Sequence, residues 1–263
     1  MTEAETTVIS VKRVLVALDA SARGRAALEV AIQLAIATSA ELQGLFVEDE
    51  DLVRLAALPF ACEVDFTSAS SRQLQSSGME RELRVAADEA RRAFASALQQ
   101  LSVNWTFRVV RGTITQASLA AAGDVDLLVI GQQGRSSLMM TGDPLGPRVG
   151  RGSHVVAVFD GSPSAYRMLK LAQRLAEPND AALTVLVLAD QGDQQSNACL
   201  TWLQQQGIRA EVNQLLRPID NAIVDYVRKY SPSMLLINRD SGLVNDQQVR
   251  RIVDEFDCPL IIC

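Results

Sequence analysis

The run VLVALDAS, Val14 to Ser21, returns as VVAVFDGS, Val155 to Ser162. No other feature of the sequence restricts its fold as strongly. Asp19 answers to Asp160, an offset of 141 residues between positions 19 and 160. Each copy is a short β-branched, apolar run that ends on Asp and then, two residues later, Ser. That is the pattern of a buried parallel strand stopping at a helix N-cap. The match continues without a gap. Leu28, Ala31, Leu34 and Ala35 meet Leu169, Ala172, Leu175 and Ala176, while Leu42, Leu45 and Asp49 meet Leu183, Leu186 and Asp190. A repeat this long is not a solenoid unit, so the chain reads as two related domains in tandem, 1–150 and 151–263.

Apolar periodicity fills in the rest. After the first strand, Ser21 is placed to cap a helix whose Leu28, Ala31, Ile32 and Ala35 share one face. Leu42–Val47 follows as a strand, and Asp51–Ala57 as a helical turn ended by Pro59. Thr67–Gly78, with five serines, reads as a loop, either a lid or a plain insertion. Met79–Leu101 carries the longest apolar stripe. Phe107–Val110, Ile114–Ala122 and Asp126–Ile130 then give strand, helix and strand. The second half repeats this alternation. Pro163 stands at the first helical position, helices surround Cys199–Leu203, 219–229 and Val249–Phe256, and strands fall at 183–188, 210–216, 234–237 and 260–263. Such alternation predicts a parallel sheet covered by helices on both faces.

Composition excludes several functions. Net charge is −6 with Lys and Arg scattered, which is no nucleic-acid footprint. No apolar run approaches the roughly 20 residues that cross a bilayer, and Met1–Ser10 is polar, so no membrane association is expected. Cys62, Cys199, Cys258 and Cys263 show no CxxC spacing and read as buried thiols of a reduced cytoplasmic protein. A lone histidine, His154, builds neither a metal site nor a catalytic pair, so no metal and no enzyme are expected. Glu48–Asp51 are four consecutive carboxylates, read as a solvated acidic turn.

In a doubly wound sheet, ligands bind beyond the carboxyl ends of the strands. That gathers Asp19–Ser21, Val47–Asp49 and Gly131–Gly134. In DLLVIGQQGRSS, Gly131 and Gly134 follow a buried strand, let the backbone turn sharply and admit an anion, with Arg135 as a counter-charge. Tight-turn glycines account for the same pattern. Asp19 likewise has two readings: a ribose hydroxyl acceptor, or a turn residue.

LVALDAS, LQGLFVEDEDLVRLAALPFACEV and DLLVIGQQGRS together resemble the universal stress protein family, closest to its tandem two-domain bacterial kind. The resemblance implies doubly wound, Rossmann-like domains with five parallel strands in the order 3-2-1-4-5. It also implies an ATP or AMP site marked by G-x-x-G, about nine residues, then G-[ST]. Gly131 and Gly134 supply the first part. Pro144 stands where the third glycine belongs, and Gly146, the nearest candidate, precedes Pro147. Adenine and ribose contacts carry over to Asp19 and to the backbone near Val47. The second half keeps Asp160 but has Asn238-Arg239-Asp240-Ser241 in place of the glycine turn, so no nucleotide is expected there.

Three functions compete. One is a nucleotide-binding stress-response regulator, the second a ligand-free family member acting through protein contacts, and the third an ATP-hydrolysing enzyme. The last lacks a Ser-Gly-Gly-x-Asp-Ser loop after the first strand. An unidentified protein partner and a homodimer are both compatible with the first two. One structural expectation comes from the residues between Ile130 and Val155. Six glycines and two prolines there leave no room for a fifth strand in the first domain. Strand 126–130 should then be an edge, covered by the glycine-rich segment or paired with Leu260–Cys263, within the chain or in a homodimer.

Overall fold

A computed structural model describes residues 11–19, 24–65, 70–131, 154–188, 193–215, 219–255 and 258–263. Eleven strands and eight α-helices alternate through them. In the first half these are β1 (Arg13–Leu18), α1 (Gly24–Thr38), β2 (Glu41–Asp49), α2 (Glu50–Ala56), β3 (Cys62–Asp65), β4 (Ser70–Gln73), α3 (Ser76–Leu98), β5 (Trp105–Gly112), α4 (Ile114–Ala122) and β6 (Leu127–Ile130). The second half has β7 (His154–Phe159), α5 (Pro163–Ala176), β8 (Ala182–Leu188), α6 (Asp193–Gln205), β9 (Glu211–Leu215), α7 (Ile219–Tyr230), β10 (Met234–Ile237), α8 (Asp246–Glu255) and β11 (Leu260–Ile262).

Nine strands form one sheet in the order β5-β2-β1-β6-β11-β10-β7-β8-β9. The first half contributes 3-2-1-4 and the second, reversed, 5-4-1-2-3. Within each half of this sheet every pairing is parallel. The halves meet where β11 runs antiparallel to β6, with Leu260 opposite Ile130, Ile261 opposite Val129 and Ile262 opposite Leu128. The place beside β6 that a fifth strand would take is therefore filled by the last strand of the second half. The expected lack of a fifth strand between β6 and β7 falls on 132–153, which lie outside the described residues. Of the two ways to cover that edge, pairing with Leu260–Cys263 within the chain is the one realised.

Alternation sorts the core onto two faces. Val14, Val16 and Leu18 belong to the core that also holds residues of α1, α3, α5 and α6, whereas Leu15 and Ala17 belong to the one that holds residues of α4, α7 and α8. Both cores run unbroken from one half into the other, because α1 meets α5 on one face and α4 meets α8 on the other. Arg239 adds a polar tie, its guanidinium donating to the Val125 carbonyl across the junction at 3.0 Å. Fully buried on both faces, these strands tolerate the continuous apolar runs that the repeat shows.

Two expectations change. The stretch 67–78 is not simply a loop, since β3 and β4 pair as an antiparallel hairpin and Ser76–Gly78 open α3. A polar hairpin has no apolar alternation to announce it, and main-chain pairing alone defines it. Cys62 is exposed, unlike the other three thiols. Burial pushes Cys199 up to about 11 and Cys263 up to about 12, so both stay protonated and inert. The cap at Ser21 and the joint at 142–153 lie outside the described residues. In the second copy Ser162 does cap α5, accepting from the Ala165 N–H at 3.2 Å with Pro163 inside the first turn.

Candidate functional site

Because β1, β2 and β6 are parallel and in register, β1 and β6 stop side by side, while β2 runs on to Asp49. Leu18 lies opposite Phe46, and Ala17 opposite Ile130. Asp19 and Gly131 are the next residues outward and Val47 of β2 lies at the same level, so three of the expected site residues stand close at this end of the sheet. Asp19 is buried, only 8% exposed. Gly131 N donates to the Ala17 carbonyl at 3.5 Å, continuing the ladder one step past β6. Val47 turns its side chain into the core, which leaves its main chain as the part available to a ligand. Gly134, Arg135 and Gly146 lie outside the described residues.

The acidic run beside this crevice has structural work. Asp49 caps α2 by accepting from Asp51 N at 2.9 Å, and Arg54 reaches back to Glu50 at 3.0 Å. Glu48 accepts from Arg111 at 3.4 Å, and Arg111 also holds Glu80 of α3 at 3.2 Å. No group of three or more His, Cys, Asp or Glu side chains among the described residues is arranged to hold a metal.

The equivalent crevice in the second half opens at the opposite edge of the sheet, since the two sets of strands are antiparallel. Here the residue one step past β10 is Asn238, the counterpart of Gly131, and it is fully buried. Its Nδ2 lies 3.1 Å from Asp160 Oδ2, 2.8 Å from Ser162 Oγ and 3.0 Å from Ser164 Oγ. Asp160 Oδ1 accepts from both Ser162 N at 3.0 Å and Ser162 Oγ at 2.6 Å. Ser164 Oγ donates to Asp240 Oδ2 at 3.0 Å, and Gln195 Nε2 to the Asp160 carbonyl at 3.2 Å. The sequence flagged Asp160 and Asn238 but not Ser164, in the first turn of α5, or Gln195, which reaches the cluster from α6.

His154 stands at the opening end of β7, three strands from β6, roughly 14 Å by inter-strand spacing. Its Nε2 is 2.8 Å from Thr184 Oγ1, and Tyr226 and Tyr230 flank the ring. Desolvation holds the imidazole below its ordinary pKa, with nearby Glu211 pulling weakly upward. The unfolded chain thus binds a proton near pH 6.5 that the folded chain resists. His154 therefore contributes full stability above that pH and loses it as the pH falls toward the folded value. A His154→Gln variant is expected to show a shallower loss of urea stability between pH 7.5 and 5. The single histidine resonance should titrate below that of a free imidazole; a pKa at or above the free value would refute this account.

Among the described residues no helix is long and apolar enough to cross a membrane. Residues 10–140 match the model of the universal stress protein family. The chain is similar in fold to a universal stress protein from Archaeoglobus fulgidus DSM 4304, at 12% identity and a TM-score of 0.56, covering 95% of each chain. It is also similar to a candidate universal stress protein from Pseudomonas aeruginosa UCBPP-PA14, at 12% identity and a TM-score of 0.52, covering 98% of this chain and 94% of that one. A comparison with curated proteins finds no match. The family match covers the half that holds Asp19, Val47 and Gly131, and the second half repeats its strand order around Asp160: the chain belongs to the universal stress protein family.

Proposed function

We propose that this stress-response protein is a cytoplasmic regulator that binds an adenine nucleotide, ATP or AMP, in its first crevice only. It passes that state to a protein partner by contact and carries out no catalysis. The observation that carries this reading is the exchange at one equivalent position. Past β10, the Asn238 amide lies on Asp160, whereas past β6, Gly131 brings no side chain toward Asp19. Asp19 offers a carboxylate suited to ribose hydroxyls, and glycine lets a ligand approach the main chain. Val47 supplies main chain for the base, while Gly134, Arg135 and Gly146 are assigned to the phosphates by resemblance. The absence of catalysis is supported by the position of His154, three strands away and held by Thr184.

Thermal unfolding with and without ligand tests this. Ligand at about 100 times its Kd stabilises a fold by about 2.7 kcal/mol, which raises the melting temperature of a chain this size by several degrees. ATP or AMP is expected to give such a shift, Asp19→Ala to reduce it and Gly131→Val to abolish it. If neither nucleotide at millimolar concentration moves the melting temperature, the protein acts through protein contacts without ligand.

A further inference from the structure

We infer that Asn238 and Gln195 are built-in occupants of the second crevice, two amide side chains standing where the first crevice admits a ligand. The inference deepens the nucleotide reading and rests on it. Asp160 already receives three donors, two from Ser162 on Oδ1 and one from Asn238 on Oδ2. A ribose hydroxyl arriving there would compete with them for a carboxylate that has only about one acceptor site left. Asn238 has two amide hydrogens shared among three acceptors within 3.1 Å, so it is fully engaged. Ser162 spends its hydroxyl proton on Asp160, and Ser164 spends its own on Asp240. Asp160, Ser162, Ser164 and Asn238 thus hydrogen-bond to one another.

Gln195 closes the second approach. It comes from α6 and lies on the turn after β7, where Gly161 has φ +80°. A Cβ at Gly161 would stand 2.8 Å from Gln195 Nε2, so glycine is what lets the amide settle on the turn. This closure is looser than that of Asn238. Gln195 Oε1 is buried without a hydrogen-bond partner among the described residues, so trimming the side chain removes an unsatisfied group along with a bond. Asn238 thus occupies one oxygen of the carboxylate, and Gln195 covers the turn that would face a ligand.

The test counts bound ligand. Adenosine is the probe, because the Asp240 carboxylate at this crevice would repel phosphate. Equilibrium dialysis of the full chain is expected to give one equivalent for wild type and two for Asn238→Gly/Gln195→Ala. A folded double variant that keeps the wild-type number overturns the inference. Should the double variant not fold, the reciprocal change decides: Gly131→Asn is expected to lower the count by one, and an unchanged count in a folded Gly131→Asn chain overturns the inference. Wild type binding no adenosine or nucleotide would refute the functional reading alone. A rise from zero to one in the double variant would then still support the occupant role, and no rise would overturn it.

Discussion

An Ile261→Asp chain is expected to lose the folded state of both halves together. Ile261 is fully buried, opposite Val129 of β6 on one side and Leu236 of β10 on the other. A carboxylate there meets only apolar neighbours, and such burial costs more than about 4 kcal/mol, a large part of the roughly 5–15 kcal/mol that holds a domain together. Trp105 on β5 and Trp202 on α6 report the two halves separately, so single-tryptophan versions of the variant can be titrated with urea. Both midpoints should fall together. An unchanged Trp105 midpoint beside a lost Trp202 transition would show that β11 does not couple the halves. Leu200→Asp, on the exposed side of α6, serves as the control and should change stability by less than about 0.5 kcal/mol.

The second large effect centres on Gly44. In the middle of β2, it leaves space that α3 and β5 fill with rings. A Cβ there would lie 2.6 Å from Phe107 Cδ2 and 2.9 Å from Phe94 Cε2. Phe94 is fully buried and meets both Phe107 and Trp105 edge-on, with centroids 5.5 Å apart in each case. Phe94→Ala is expected to cost about 3–5 kcal/mol through the cavity it opens, and Gly44→Ala about 1–3 kcal/mol through overpacking. Because the added methyl would enter that cavity, the double variant should be more stable than the two losses combined predict. Additivity within about 0.3 kcal/mol in urea titrations would show that the ring and the glycine do not share this space. The repeat offset of 141 puts Val185 at the matching place on β8, so the halves reached the same strand with opposite solutions.

What the sequence made legible is what local rules govern. Val14–Leu18 and Val155–Phe159 are recognisable because a doubly buried strand must be apolar throughout, and Ser162-Pro163 because a helix start has few chemistries. The pairing of β6 with Leu260–Ile262 was legible as one of two ways to cover an edge, while the glycine- and proline-rich stretch that suggested it lies outside the described residues. That Asp19, Val47 and Gly131 lie at the same end of three neighbouring strands followed from the same logic. The polar hairpin was not legible, since Ser70–Gln73 carries no apolar period. Nor were Ser164 and Gln195. Asn238 and Ser164 are 74 residues apart, and a hydrogen bond between them depends on sheet order, not on any neighbouring residue. Gly44 stood inside a strand pattern with no sign of the two rings it accommodates.

The central position of β11 also bears on how the protein comes into being. On a ribosome, β6 is complete at Ile130, but its partner at Leu260–Ile262 is made 130 residues later, counting from 130 to 260. At synthesis rates of about 5–20 residues per second, that is a delay of about 7–26 s. For that interval the apolar strand Leu127–Ile130 has one open edge, with Leu128 and Val129 awaiting partners that do not yet exist. Open edges of this kind pair readily with other chains. The first half is therefore exposed to misassembly throughout synthesis of the second, and its protection is a matter of timing, since the strand that closes it arrives last.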